Sequence, residues 1–75
     1  MHVTVKLAGG LVHTLGFSER ELDLPAGTTA AGLLDALAID RTRPVIVGRQ
    51  GWALDPAEEL RDGDRILVSP VFSGG

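Results

Sequence analysis

The sequence predicts an α+β fold, in which one main helix covers one face of a mixed sheet of four or five strands. Two patterns support this prediction: several short segments alternate apolar and polar residues, and one segment has a helical period. The chain has 75 residues, of which 44% are hydrophobic. That length is enough for one small domain, so both patterns belong to a single core.

Two predicted strands precede the helix. Residues 2–7 alternate strictly and are rich in β-branched side chains, which is typical of a half-buried strand. Residues 11–15 are apolar and form either one or two helical turns or a loop. Residues 18–24 alternate again, which places Arg20 on the same face as Leu22 and predicts a hairpin partner for the first strand.

The helix is predicted over residues 30–38, with an N-cap at Thr28 or Thr29. Its apolar residues recur with a spacing of three and four, which gives one buried stripe. We expect Gly32 to allow close packing of this helix on the sheet, and Pro44 prevents the helix from running on.

Short segments separated by turns make up the rest of the chain. Strands are predicted at residues 45–47, 52–54 and 65–69, and a short helical turn at 56–60. The first and last strands are apolar enough to lie side by side in the centre of the sheet, which is the β-grasp wiring of ubiquitin-like proteins. We expect a domain over residues 1–69 and a flexible tail over 70–75.

Composition and charge exclude several functions. The chain has no cysteine, which excludes disulfides and thiolate chemistry, and its formal net charge of −3 argues against nucleic-acid or anionic membrane partners. The sequence contains neither a long apolar run nor a secretory signal pattern, so the expected compartment is the cytoplasm.

The interior offers no set of catalytic residues. His2 and His13 lack metal-ligand spacing, and Ser18, Ser69 and Ser73 have no histidine at a suggestive distance along the chain. We therefore expect no metal, no bound cofactor and no enzymatic activity of the chain's own.

Two other features are assigned to the surface. The acids Glu58, Glu59, Asp62 and Asp64 are interpreted as a solvated turn, not as an acid/base pair. Trp52 is interpreted as a packed or half-exposed aromatic, because no aromatic or basic neighbour makes it a base-stacking platform.

The sequence closes with Gly74 and Gly75, which contribute nothing to a fold. Glycines without side chains can extend into a narrow slot and present a carboxylate to a partner. Together with the β-grasp order and the missing catalytic set, they favour a role for the chain terminus.

Four motifs resemble the ThiS/MoaD family of ubiquitin-like sulfur carriers. They are LPAGTT at 24–29, LLDAL at 33–37, LRDGDRI at 60–66 and SPVFSGG at 69–75. The GGLVHTLG segment at 9–16 and the Pro-Val-x-x-Gly-Gly ending are more similar to the MoaD branch, the small subunit of molybdopterin synthase. The sequence departs from the family pattern at two places. Residues 47–51 read VGRQG where a Val-Asn-Gly turn is more usual, and Ser73 stands where alanine or threonine is more usual.

The resemblance implies a protein co-substrate, alone or as the small subunit of a synthase. A ubiquitin-activating-type enzyme would use ATP to adenylate the Gly75 carboxylate. A persulfide donor would then convert it to a thiocarboxylate, and a sulfur-accepting synthase subunit would use that sulfur, most simply for molybdopterin. Phe72, Ser73 and Gly74 would enter the partner's active site.

Strand alternation also predicts a surface for such partners. If Ile66 and Val68 face the core, then Ile46 and Leu67 face outward together on the opposite side of the sheet, with Phe72 at their edge.

Two alternatives remain open from the sequence. Besides the sulfur carrier, the chain could be a ubiquitin-like modifier joined through Gly75 to target lysines, or a β-grasp interaction domain in which the glycines are incidental. Removal of Gly75 separates the interaction domain, which would keep its function, from the carrier and the modifier, which would lose theirs.

Overall fold

The computed structural model describes residues 1–40 and 42–71. In these ranges it contains five strands and two helices in one sheet-and-helix domain. They are β1 (His2–Leu7), α1 (Leu11–Leu15), β2 (Glu19–Asp23), α2 (Ala30–Ala36), β3 (Val45–Arg49), β4 (Trp52–Ala53) and β5 (Arg65–Pro70).

The five strands form one sheet in the order β2-β1-β5-β3-β4. The first and last strands run parallel in its centre, with Val5 opposite Ile66, and the other neighbouring pairs are antiparallel. The predicted α+β class and the central pairing of first and last strands are therefore confirmed. A parallel pair needs a long connection, and the intervening helix and β3–β4 hairpin supply it.

The core lies between α2 and one face of the central strands. Its most deeply buried large side chains are Leu33 from α2, Val3 and Val5 from β1, and Ile66 and Val68 from β5. All four strand residues fall at alternate positions, so a single face of each strand supplies the core.

The segment left open at residues 11–15 is helical and buries Leu11. It ends at Gly16, whose φ of 82° is readily adopted by glycine alone. Leu11 belongs to the core, and Val12 and Leu15 pack against it, which explains why an apolar stretch follows β1.

The main helix begins where the sequence indicates and ends earlier. Thr29 is the N-cap, and its Oγ1 accepts a hydrogen bond of 3.1 Å from the backbone N–H of Gly32. The helix stops at Ala36, two residues before the predicted end, because Ala38 has a left-handed φ of 58°.

The expected role of Gly32 is wrong. A Cβ added there would lie 3.2 Å from Cγ2 of Thr28 and 3.5 Å from Oγ1 of Thr29. Gly32 therefore makes room for the two threonines that begin its own helix, and not for the sheet.

Arg20 shares the core-facing side of β2 with Leu22, as the alternation predicts, because these residues lie opposite Val5 and Val3. Its charge is tolerated because β2 is an edge strand. The Arg20 guanidinium carbon lies 4.0 Å from the centroid of the Phe17 ring, so the side chain stacks on an aromatic face while its charge stays in water.

The helical turn predicted at 56–60 is wrong. Asp55 instead forms a turn, in which its carbonyl accepts from the N–H of Glu58 and its Oδ1 accepts from the N–H of Ala57. The chain then extends, and Glu59 forms an isolated bridge with Thr29. The side chain of Asp55 competes with helical hydrogen bonding, which explains the difference.

We expect Leu33→Ala to lower the free energy of unfolding by about 3 kcal/mol, because it opens a cavity at the helix–sheet contact. Leu67→Ala is the matched control, since 44% of Leu67 is exposed, and should cost less than about 1 kcal/mol. Urea unfolding followed by circular dichroism measures both. Equal losses for the two variants would contradict this assignment of the core.

Candidate functional site

The central strand β5 leads directly to the C-terminal segment. It includes Pro70, one residue beyond the predicted strand, and Pro70 lies opposite Val45 of β3. The backbone N–H of Val71 then donates to the carbonyl of Pro44 at 3.2 Å. Pro70 is tolerated because backbone groups of this pair point away from each other, so no ladder hydrogen bond is lost.

The tail residues Phe72, Ser73, Gly74 and Gly75 lie outside the described residues. Their role at a partner's active site, and the domain boundary placed before residue 70, stay predictions. The structure describes the chain that precedes this tail, as far as Val71.

The sheet face opposite α2 carries exposed aliphatic side chains. Ile46 is 46% exposed and Leu67 is 44% exposed, whereas Val47, Ile66 and Val68 are buried. Ile46 pairs with Ser69 and Gly48 with Leu67, so Ile46 and Leu67 are diagonal neighbours on one face. The alternation therefore places them outward together, while their binding of a partner stays a prediction.

Trp52 lies beside this surface, opposite Arg49 on the β3–β4 hairpin, where the strand alternation does not predict a contribution to it. It is 78% exposed, which is more than the packed or half-exposed position expected for it. It lines a depression of about 300 Å³ together with Ile46 and Leu67. We refer to Ile46, Trp52 and Leu67 as the sheet-face patch. Tryptophan is enriched among the residues that contribute most to binding at protein interfaces.

The hairpin that carries Trp52 is held by an arginine. The Nη1 of Arg49 donates to Oδ2 of Asp64 at 2.9 Å, and its Nη2 donates to Oε2 of Glu58 at 3.0 Å. The same Oδ2 of Asp64 accepts from the backbone N–H of Arg61 at 2.7 Å. We call Arg49, Glu58 and Asp64 the arginine clasp. It ties the end of β3 to the segment that precedes β5.

The interpretation of these acids as a solvated turn is wrong for Asp64, whereas Glu58 pairs with Arg49 but is 45% exposed, as expected. The side chain of Asp64 is only 13% exposed, and that of Arg49 is 19% exposed. A signal was present in the sequence: Arg49 continues the alternation of Val45 and Val47, which face the helix. A charge at such a position needs a partner, and acids supply it.

Within residues 1–40 and 42–71, no group of three or more histidine, acidic or cysteine side chains could hold a metal ion. No helix in this part of the chain is long and apolar enough to cross a membrane.

A five-stranded sheet with parallel first and last strands, one covering helix and an emergent C-terminal segment defines a ubiquitin-like β-grasp protein. The model of the ThiS family matches residues 5–75, so the chain belongs to that family. Proteins of the ThiS/MoaD type are small carriers that are not catalytic themselves, and they act in general with adenylating enzymes and synthase subunits. No protein with curated function matches the chain.

Solved structures share the fold over the whole chain. SAMP1 from Haloferax volcanii is 25% identical with a TM-score of 0.83, and the alignment covers 100% of both chains. A putative molybdopterin converting factor, subunit 1, from Pyrococcus furiosus is 24% identical with a TM-score of 0.82, covering 96% of this chain and 99% of that one. Urm1 from Trypanosoma brucei is 23% identical with a TM-score of 0.64, covering 99% and 95%.

We expect Asp64→Asn to lower the free energy of unfolding by about 2 kcal/mol, because it weakens a charge-assisted bond and leaves the Arg49 guanidinium poorly paired. Glu58→Gln is the control, since that side chain is 45% exposed, and should cost less than about 1 kcal/mol.

Urea unfolding measures both, and a double-mutant cycle with Arg49→Gln isolates the coupling. A coupling of Arg49 to Asp64 no larger than its coupling to Glu58 would show that the clasp does not depend on the more buried acid.

Proposed function

We propose that the chain is a sulfur carrier whose Gly75 carboxylate is activated and converted to a thiocarboxylate. The observation that carries this proposal is the match to the ThiS family through both terminal glycines, over residues 5–75. The chain has no cysteine, so in this proposal the sulfur comes from a partner and is held at Gly75.

The chemistry explains why such a carrier needs ATP. A carboxylate is a poor electrophile, so one of its oxygens first attacks the α-phosphate of ATP and pyrophosphate leaves. The terminal sulfur of a partner's persulfide then attacks the acyl carbon, and AMP leaves. A thiol finally reduces the sulfur–sulfur bond, which releases the thiocarboxylate and forms a disulfide. The carrier holds no cofactor in this scheme, since the ATP belongs to the activating enzyme.

The body of the protein serves to present this group. Val71 remains tied to Pro44, so the rigid sheet extends to within four residues of Gly75. Phe72, Ser73 and Gly74 connect the two, and glycine allows the close approach that a narrow active-site slot requires.

We propose a synthase that makes molybdopterin as the sulfur acceptor, with the chain as its small subunit or as a free shuttle in the cytoplasm. The support is the motif at residues 9–16 and the Pro-Val-x-x-Gly-Gly ending, which are more similar to the MoaD branch than to the thiamin branch.

A second candidate is a protein modifier joined through Gly75 to lysines. The observation in its favour is the likeness to Haloferax volcanii SAMP1, a small archaeal modifier protein, which is 25% identical over its whole length. Both candidates need the same adenylation, and they differ in whether a sulfur or a lysine nitrogen displaces AMP.

Intact mass after incubation with ATP, an activating enzyme and a persulfide donor tests the first candidate. We expect the mass increase of one oxygen replaced by sulfur, and its loss on removal of Gly75 or addition of a residue after it. Gly10→Ala is the matched glycine control, because Gly10 is exposed and no atom of the described residues lies within 4 Å of a Cβ added there.

If the mass of the chain does not increase in this assay, and isopeptide-linked conjugates of the chain are found in cells, the modifier is favoured. If removal of Gly75 changes neither the mass result nor cellular function, the chain is an interaction domain and both candidates are wrong.

We also expect Leu67→Asp to slow thiocarboxylate formation at least about tenfold, because it places a charge in the sheet-face patch where the activating enzyme would dock. Ala26→Asp is the control, since Ala26 lies in an exposed turn. Initial rates at limiting carrier concentration measure the effect. Equal rates for the two variants would remove the patch from the proposed interface.

A further inference from the structure

An apolar groove lies on the helix side of the sheet, next to the sheet-face patch, with which it shares the lining residue Ile46. Two adjoining depressions of about 200 Å³ and 260 Å³ share Ala31 and Leu34 of α2, Val45 of β3, and Pro56. We call these four residues the helix–strand groove. Leu34 and Val45 are only half-buried, although both pack against the core.

The groove borders an uncovered part of a strand. On its outer side, β3 pairs with β4 only at Gly48 and Arg49, and the N–H of Leu54 donates to the Val47 carbonyl at 2.7 Å. These contacts cover the second half of β3, and no strand among residues 1–40 and 42–71 pairs with the outer side of its first half.

The backbone of Val45 points toward this open side. The carbonyl of Pro44 accepts from Val71 and therefore faces β5, and successive residues of a strand face alternate sides. The N–H and C=O of Val45 accordingly point outward, and they have no hydrogen-bond partner among the described residues. An unpaired strand edge is a template for another strand.

A positive charge lies at the end of the groove. Arg43 lines the larger depression, is exposed, and forms no salt bridge with any described residue. The nearby Asp40 is engaged elsewhere: its Oδ1 accepts from the N–H of Thr42 at 2.9 Å. That hydrogen bond is the main reason why the pKa of Asp40 is lowered, and Arg43 has the smallest effect.

We propose that the helix–strand groove binds an extended segment of a partner protein, which adds as a strand to Val45, places an aliphatic side chain between Leu34 and Pro56, and directs a carboxylate to Arg43. An added strand would supply hydrogen-bond partners for the backbone N–H and C=O of Val45. The apolar groove selects an aliphatic side chain on that strand, and the guanidinium of Arg43 selects a carboxylate. The site is separate from the chemistry proposed for Gly75 and does not rest on it.

A second copy of this chain fits the groove less well. Pairing of two β3 edges would bring together two copies of residues 42–49, which contain two arginines and no carboxylate. Arg43 would then find no acid in the facing strand to pair with.

The test is a titration of the uniformly ¹⁵N-labelled full chain with synthetic peptides, followed by amide chemical shifts. The probe is an acetylated and amidated peptide of four alternating valines and isoleucines followed by two aspartates. We expect saturable shifts centred on Ala31, Leu34 and Val45. A peptide with lysines in place of the aspartates should bind at least about tenfold more weakly, as should one N-methylated at its aliphatic residues.

Variants of the chain test the same site. Ala31→Glu should weaken binding at least about tenfold, because it fills the groove and repels the acidic peptide, and Ala36→Glu on the exposed side of the same helix should not. Arg43→Gln should remove the preference for aspartate over lysine, and Arg61→Gln, an exposed arginine elsewhere, should keep it. Circular dichroism confirms that each variant is folded.

Three results would overturn the proposal. They are equal affinity for the acidic and basic peptides, shifts centred on Trp52 and Leu67, and a concentration-dependent dimer that Ala31→Glu abolishes, which would identify a second copy as the occupant. Failure of thiocarboxylate formation would leave these peptide results unaffected, because no step of the titration involves Gly75.

Discussion

The parallel pairing of β1 with β5 is the contact on which the rest of the fold depends. It joins the two ends of the domain and brings Val5 beside Ile66, so that the most buried side chains of both strands face Leu33 of α2. Neither strand can bury its apolar face without the other, and the helix has no surface to cover until they have met. Because these residues are far apart in sequence, the chain gains its core only once most of it has been ordered, as is usual for small folds with non-local strand pairs.

The β3–β4 hairpin at one edge of the sheet is held mainly by polar contacts. β4 is only two residues long, and it buries no large side chain. The arginine clasp supplies what this hairpin lacks in apolar packing, since Arg49 reaches two carboxylates from a position on the helix-facing side of β3. One consequence is that Trp52 can remain exposed on a hairpin of fixed orientation. An exposed aromatic on a well-ordered support loses little conformational entropy when a partner covers it.

The sequence predicts the features that follow from periodicity. The strand positions, the N-terminal region of α2 and the outward direction of Ile46 and Leu67 all result from alternation or helical spacing, and the central pairing follows from which strands are most apolar. The features it does not predict depend on contacts between distant side chains. The clasp needs Arg49 and Asp64, fifteen residues apart, to meet in space. The early end of α2 depends on the left-handed φ of Ala38. The exposure of Trp52 depends on which distant segments pack near it in the fold.

Two prolines mark the place where the sheet stops. Pro44 precedes β3 and Pro70 ends β5, and neither can donate a backbone hydrogen bond, so the ladder has one last tie, from Val71 to the carbonyl of Pro44. Beyond that tie, four residues reach at most about 14 Å even when fully extended. If Gly75 is the reacting residue, as proposed, the catalytic centre of its partner must therefore come within that distance of Val71. The length of this C-terminal segment therefore limits the depth of the active-site cleft that Gly75 can reach. In an enzyme with a deeper cleft, part of the folded domain would also have to enter the cleft.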